Sequence, residues 1–158
     1  MARELITSWI DYQAAAERLL AMACRKISIY DEDLSGLKLD SPACLGHLQR
    51  ILKDGSAEAL RIALRNSSQL HQRHPALLNL LTVFGHCAAA QQTPEQLAHL
   101  RDCMIIVDGK HALIRFDRDQ ARSKLLIDEA DELRPYIARF DEIWSAGGEP
   151  VRATALGL

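Results

Sequence analysis

The chain has 158 residues, 48% of them apolar and 25% charged. That length suits one domain, residues 1–158, with a core able to bury most of its apolar surface without staples. With 19 Lys and Arg against 21 Asp and Glu, the formal net charge is −2. This excludes the strongly basic footprint of non-specific nucleic-acid binding, and the composition excludes a disordered chain, a collagen and a coiled coil.

In chain order, Leu5-Ile6 reads as a short first strand. Ser8 then caps a helix, with Asp11 in its first turn and an apolar face of Ala16, Leu19, Leu20 and Ala23. Lys26 to Tyr30 alternates as a strand and exits into Asp31-Glu32-Asp33. Ser41-Pro42 opens a helix expected to run to about Lys53, and Leu60 to Leu64 supplies another strand after the break at Asp54-Gly-Ser56. After Arg65-Asn-Ser-Ser68, a helix is expected over Pro75 to Val83, with Ser67 and Ser68 as its caps, and then a weak strand over 85–90. Thr93-Pro-Glu-Gln96 has the spacing of a capping box at the head of a short helix.

Two apolar runs, Cys103 to Val107 and Ala112 to Phe116, flank Asp108-Gly-Lys110, a strong hairpin signal. Lys124 to Ile127 reads as one more strand. Leu133, Tyr136, Ile137, Phe140 and Trp144 form the inner stripe of a last helix, with Pro135 near its start and Gly147-Gly148 at its end. Strands alternating with helices and ending in a hairpin predict an α/β sandwich. Its sheet is expected to be mixed and mostly parallel, with helices on both faces and the β-hairpin late.

The four cysteines, at 24, 44, 87 and 103, stand too far apart for a zinc cluster or a dense disulfide framework and read as reduced thiols. No signal peptide is visible, and the most apolar window, Ala76 to Phe84, is too short to span a bilayer. A cytoplasmic location with no membrane partner is expected. No dinucleotide fingerprint, P-loop or nucleophile elbow is present. His71 and His74 are three residues apart, but spacing indicates no further ligand, so neither a metal nor a cofactor is expected. Asp31 to Asp33 and Arg65 to Ser68 occupy the exits of two strands expected to be neighbours and parallel, the rim where open α/β sheets bind ligands.

The order of these elements, with its strand–Asp-Gly–strand hairpin and closing helix, resembles one half of the phospholipase D-like fold. In that superfamily the run before the hairpin carries H-x-K-x4-D: the histidine attacks a phosphodiester, the lysine binds phosphate, and two such halves face each other. Registering Arg101-Asp-Cys-Met-Ile-Ile-Val-Asp108 on Asp108 puts Arg101 at the histidine position and Cys103 at the lysine position. Registering on His99 leaves Ile106 where the aspartate belongs. An arginine cannot form the covalent phospho-enzyme. The chain is also similar to a proteobacterial domain family often found behind GNAT-type acetyltransferase domains. That similarity rests on Ile-Ser-Ile-Tyr30 with Asp33-Leu34, Leu60–Leu64 with Arg65, His74 before a leucine-rich helix, Phe140-Asp141, Trp144, and the Pro150…Leu156-Gly-Leu158 tail.

The resemblance implies a phospholipase D-like pseudoenzyme with a binding or regulatory role. Asp33, Arg65, His74, Arg101 and Asp108 are its ligand-binding candidates at the strand-exit rim. A small anion or a partner protein is the expected ligand, and a two-fold homodimer is expected by analogy with the paired halves. The alternative is a phosphodiester hydrolase using His99 or His74 in a rearranged site.

Overall fold

A computed structural model of the chain describes residues 1–152, so the Leu156-Gly-Leu158 end of the tail motif lies outside the described residues. Its strands are β1 (Ala2–Ile6), β2 (Ile27–Asp31), β3 (Leu60–Leu64), β4 (Ala88–Gln92), β5 (Cys103–Val107), β6 (His111–Arg115), β7 (Ser123–Ile127) and the two-residue β8 (Glu149–Pro150). Between them run α1 (Trp9–Met22), α2 (Pro42–Lys53), the short α3 (Leu70–Arg73), α4 (Pro75–Val83) and α5 (Ala130–Ser145). All eight strands join one sheet in the order β1-β7-β6-β5-β2-β3-β4-β8.

The sheet is mixed, as expected, but mostly antiparallel rather than mostly parallel. Only β2–β3 and β3–β4 are parallel pairs; β1–β7, β7–β6, β6–β5, β5–β2 and β4–β8 are antiparallel. The expectation undercounted because antiparallel strands joined by long crossovers leave the same helix–strand alternation in sequence as βαβ units. The parallel half is the part built from such units.

Strand parity divides the core in two. Ile27, Ile29, Leu60, Ile62, Leu64, Ile105, Val107, Leu113 and Leu125 face α1, α2 and α4. Tyr30, Ala63, Met104, Ile106, Ala112, Ile114 and Leu126 face α5 alone, meeting Leu133, Phe140 and Ile143. Helices thus lie on both faces, three long ones against one, and the α5 face is the thinly covered one.

Local signals decided most boundaries. Ser8 Oγ accepts from Asp11 N at 3.2 Å and Ser41 Oγ from Cys44 N at 3.3 Å, so both N-caps form. The capping box at Thr93 does not: only a single 3₁₀ turn comes after it, over Glu95–Leu97, and Thr93 Oγ1 is buried without a partner. Ser67 and Ser68 are not helix caps either. The Ser67 hydroxyl donates to Gln92 Oε1 at 2.7 Å and the Ser68 hydroxyl to Asn66 Oδ1 at 2.7 Å. α4 is capped from a distance, by Asp40 Oδ1 accepting from Leu77 N at 2.9 Å.

The late hairpin forms as expected, with Asp108 (φ 56°) and Gly109 (φ 68°) both left-handed and Lys110 N bonded to Val107 O. The Asp108 carboxylate also accepts from three consecutive backbone amides, Cys24, Arg25 and Lys26, at 2.8, 2.8 and 2.9 Å. It thereby ties the hairpin to the loop that launches β2. Replacing it, Asp108→Ala, should destabilise the protein by about 1.5–3 kcal/mol, the worth of hydrogen bonds to a charged acceptor. Denaturant titration at neutral pH measures this; a change within about 0.5 kcal/mol, as at an ordinary surface site, would show the staple to be idle.

Candidate functional site

The register places Ile6, Asp31, Leu64, Gln92, Cys103, Arg115 and Ser123 at one end of the sheet. This is the strand-exit rim, and arginines dominate it on both faces. On the α1 face, residues of one parity bring Asp31, Cys103 and Arg115 side by side on the adjacent strands β2, β5 and β6. Arg115 Nη2 donates to Asp31 Oδ1 at 2.8 Å, and both side chains are only 2% exposed. Arg115 Nη1 donates to the Arg118 carbonyl at 2.6 Å, and the guanidinium lies over Trp9 and Tyr12, 5.1 and 5.0 Å from their ring centres. The other Asp31 oxygen accepts from Leu34 N at 2.8 Å and Asp33 N at 3.3 Å, folding the loop after β2 around the carboxylate. Burial pushes the Cys103 thiol up to about 12, and the nearby Asp31 carboxylate adds to the shift. It is a neutral thiol at physiological pH, not a nucleophile.

On the α5 face, Arg65 continues β3. Its Nε donates to Glu32 Oε1 at 2.9 Å, its Nη1 to the Asp102 carbonyl at 2.7 Å, and its guanidinium covers Tyr30 at 4.7 Å. Glu32 Oε1 also accepts from Arg118 at 3.0 Å, while Arg139 of α5 holds the Asp102 carboxylate with two bonds, 3.0 and 2.7 Å. The expectation that the exits of β2 and β3 meet at one rim therefore holds, through the Glu32–Arg65 pair.

The five candidate residues do not form one site. Arg65 is buried in the pairs just described. Asp33 is half-buried at the rim, its Oδ1 accepting from Ser35 N at 3.0 Å. Arg101 is exposed beside β5 and donates to Asp117 Oδ1 at 2.5 Å and to Asp119. His74 is buried at the α3–α4 junction, with Nδ1 unpartnered. Asp108 lies at the opposite end of the sheet, one residue past Val107, because β5 runs antiparallel to β2. Among the described residues neither His74 nor the exposed His99 has its imidazole hydrogen-bonded to a carboxylate or a cation. Nor, among them, does any group of three or more His, Cys, Asp and Glu side chains stand close enough to hold a metal ion, and no helix is long and apolar enough to cross a membrane.

Sequence reasoning missed Arg115, Tyr12 and Arg61. Arg115 and Arg61 did carry a signal: a lone arginine inside an apolar strand must find a buried partner, because an unpaired buried charge is prohibitively costly. Their partners, 84 and 80 residues away, carried none.

A family model described as Domain of unknown function (DUF7931) matches residues 9–155. The chain belongs to that family. No curated protein matches it. Among solved structures, this DUF7931 chain is similar to Nuc from Salmonella typhimurium, a phospholipase D family member: TM-score 0.59, 16% identity, 96% of this chain and 98% of that one. It is likewise similar to NucT from Helicobacter pylori, with TM-score 0.56, 10% identity, and 92% and 96% coverage. TrmBL2, an archaeal chromatin protein whose structure shows a novel mode of DNA binding, aligns with TM-score 0.68 at 13% identity over 96% of this chain. The present chain spans 55% of TrmBL2. At these identities the likeness is one of fold, and the fold is phospholipase D-like.

Two outcomes test the rim's internal wiring. Asp31→Ala should cost about 3–5 kcal/mol by stranding a buried guanidinium, and the double variant Asp31→Ala/Arg115→Met should recover much of that loss. Additive losses in the denaturation midpoints would show that the two side chains are not coupled. The second outcome concerns His74, which burial holds below its ordinary value of 6.5, against the opposing pull of Asp40 and Asp33. The unfolded chain then takes up a proton before the folded one does. Stability from this residue is present above about pH 6.5 and falls as pH drops towards the folded value. His74→Gln should flatten that slope between about pH 7 and about pH 5 in denaturant titrations; an unchanged slope would assign it to other groups.

Proposed function

We propose that this DUF7931 chain is a non-catalytic phospholipase D-like module whose strand-exit rim is a protein-binding surface. One observation carries the reading. In the register that aligns Asp108 with the motif aspartate, the histidine position holds Arg101, tied to Asp117 and Asp119, and the lysine position holds Cys103, a buried neutral thiol. A guanidinium cannot attack a phosphodiester, and a neutral thiol cannot hold its phosphate as a lysine does.

The rim's cations are also spoken for. Arg115, Arg65, Arg118 and Arg139 each face a carboxylate of this same chain, which favours a protein over a free small anion at this end. Trp9, stacked on Arg115, is 38% exposed, and Ile10 and Phe116, next to Trp9 and Arg115 in the chain, are 79% and 47% exposed. Apolar side chains rimmed by polar ones suit association, and paired halves in this fold make a second copy of the chain the leading partner. A regulatory role beside a GNAT-type acetyltransferase domain fits the same surface and rests on the family resemblance alone.

Sedimentation at micromolar concentration should show a dimer that Ile10→Asp converts to monomer with its circular dichroism unchanged. A monomeric wild type would overturn self-association. Bis(p-nitrophenyl) phosphate should be turned over no faster by the wild type than by Arg101→Ala. Hydrolysis that disappears in His74→Gln or His99→Gln would establish the alternative, a rearranged hydrolase.

A further inference from the structure

The thin cover on the α5 face leaves an opening at the end of the sheet away from the rim. A groove of about 420 Å³ runs between α5 and the first residues of β2 and β3, within the size range of small-molecule sites. Its floor is Ser28, Arg61 and Ile106, its wall is Ile137 and Phe140 of α5, and Arg25, Lys26 and Asp108 stand at its mouth. The Arg61 side chain is 9% exposed. Its guanidinium lies 4.7 Å from the Phe140 ring centre and 5.8 Å from that of Trp144. Nη2 donates to Ser28 Oγ at 3.1 Å and Nη1 to Asp141 Oδ1 at 3.2 Å, while Nε is buried with no partner.

This guanidinium makes two hydrogen bonds where Arg65 and Arg115 at the rim make three each, although Arg115 also keeps a buried Nε without a partner. Arginine has five N–H donors, and here one bond goes to a neutral hydroxyl and one to a carboxylate whose own side chain is 54% exposed. Such a partner is free to swing into solvent and yield its place. The charge around the groove points the same way. Arg25, Lys26 and Arg61 outnumber Asp108 and Asp141, and the Asp108 oxygens are already engaged by three backbone amides. The walls are apolar and partly aromatic.

We infer that this groove binds a small organic anion, an apolar ring or short chain bearing one anionic head, with the head displacing Asp141 at Arg61 and the body lying against Ile137 and Phe140. Carboxylate and phosphate share the required chemistry. The site is independent of the rim and of the binding role proposed there, being built from the opposite end of the sheet.

Titrations with 4-phenylbutyrate, phenyl phosphate and the neutral 4-phenylbutanol, followed by amide chemical shifts of the full chain, test this. One or both acids should bind, with shifts centred on Ser28, Arg61 and Ile137; which acid binds identifies the head group. Asp141→Asn, at an exposed position, should tighten acid binding about fivefold by removing the competing carboxylate. Ile137→Trp should abolish it by filling the groove. The proposal is overturned if neither acid binds either the wild type or Asp141→Asn, or if the alcohol binds as well as the acids. It is likewise overturned if Asp141→Asn leaves affinity unchanged, or if the shifts map to Arg101 and Arg118.

Discussion

The rim of this sheet is organised by a single buried ion pair, Arg115 with Asp31. The two residues end strands β6 and β2, which are not neighbours: β5 lies between them, and its first residue there is Cys103. A guanidinium can pass over β5 to reach the carboxylate because the intervening side chain is short and uncharged. The aromatic rings of Trp9 and Tyr12 close over it, and the Asp31 carboxylate gathers the loop after β2 through two backbone amides. A pair buried this deeply gains little net stability over an apolar filling, but losing either member leaves a charge in a medium that cannot solvate it. Its consequence is therefore geometric: it fixes where α1, β2 and β6 end relative to one another.

That constraint bears on which side chain position 103 can hold. The register with the phospholipase D-like motif puts lysine where Cys103 stands. A lysine there would bring a second cation against Arg115 in a space where both existing charges are 2% exposed, with only one carboxylate to share. The Arg115–Asp31 pair therefore disfavours a charged lysine at 103. The space beside Cys103 is occupied by the chain's own guanidinium.

How much of this was legible in the sequence depends on the range of each interaction. Ser8, Ser41 and the Asp108-Gly109 turn act on residues within three or four positions, so their caps and hairpin were readable, as were α2, β3, β5 and α4. Ser67, Ser68 and Thr93 carried the same residue types but spend or leave their hydroxyls otherwise, because Gln92 and Asn66 offered nearer acceptors and the segment after Thr93 makes only one 3₁₀ turn. Antiparallel pairing of β2 with β5 spans about half the chain and leaves no local signature, which is why the sheet read as mostly parallel and why Asp108 was placed at the wrong end. The Glu32–Arg65 meeting was foreseeable because adjacent parallel strands bring their exits together. Arg115–Asp31 was not, since it crosses an intervening strand.

The two ends of the sheet now differ in a way that net charge conceals. At the rim, Arg115 and Arg65 each face a carboxylate that is itself buried or half-buried, although the Arg115 Nε is left without a partner. At the far end, Arg61 shares its one carboxylate with solvent and keeps a buried Nε unpartnered. A chain with 19 basic and 21 acidic residues is close to neutral overall, yet its buried arginines differ in how exposed their carboxylate partners are. An anion at Arg61 would displace only an exposed carboxylate, whereas at the rim it would have to break a buried pair. Of the two ends, the groove beneath α5 is the one where an anion meets the weaker competitor.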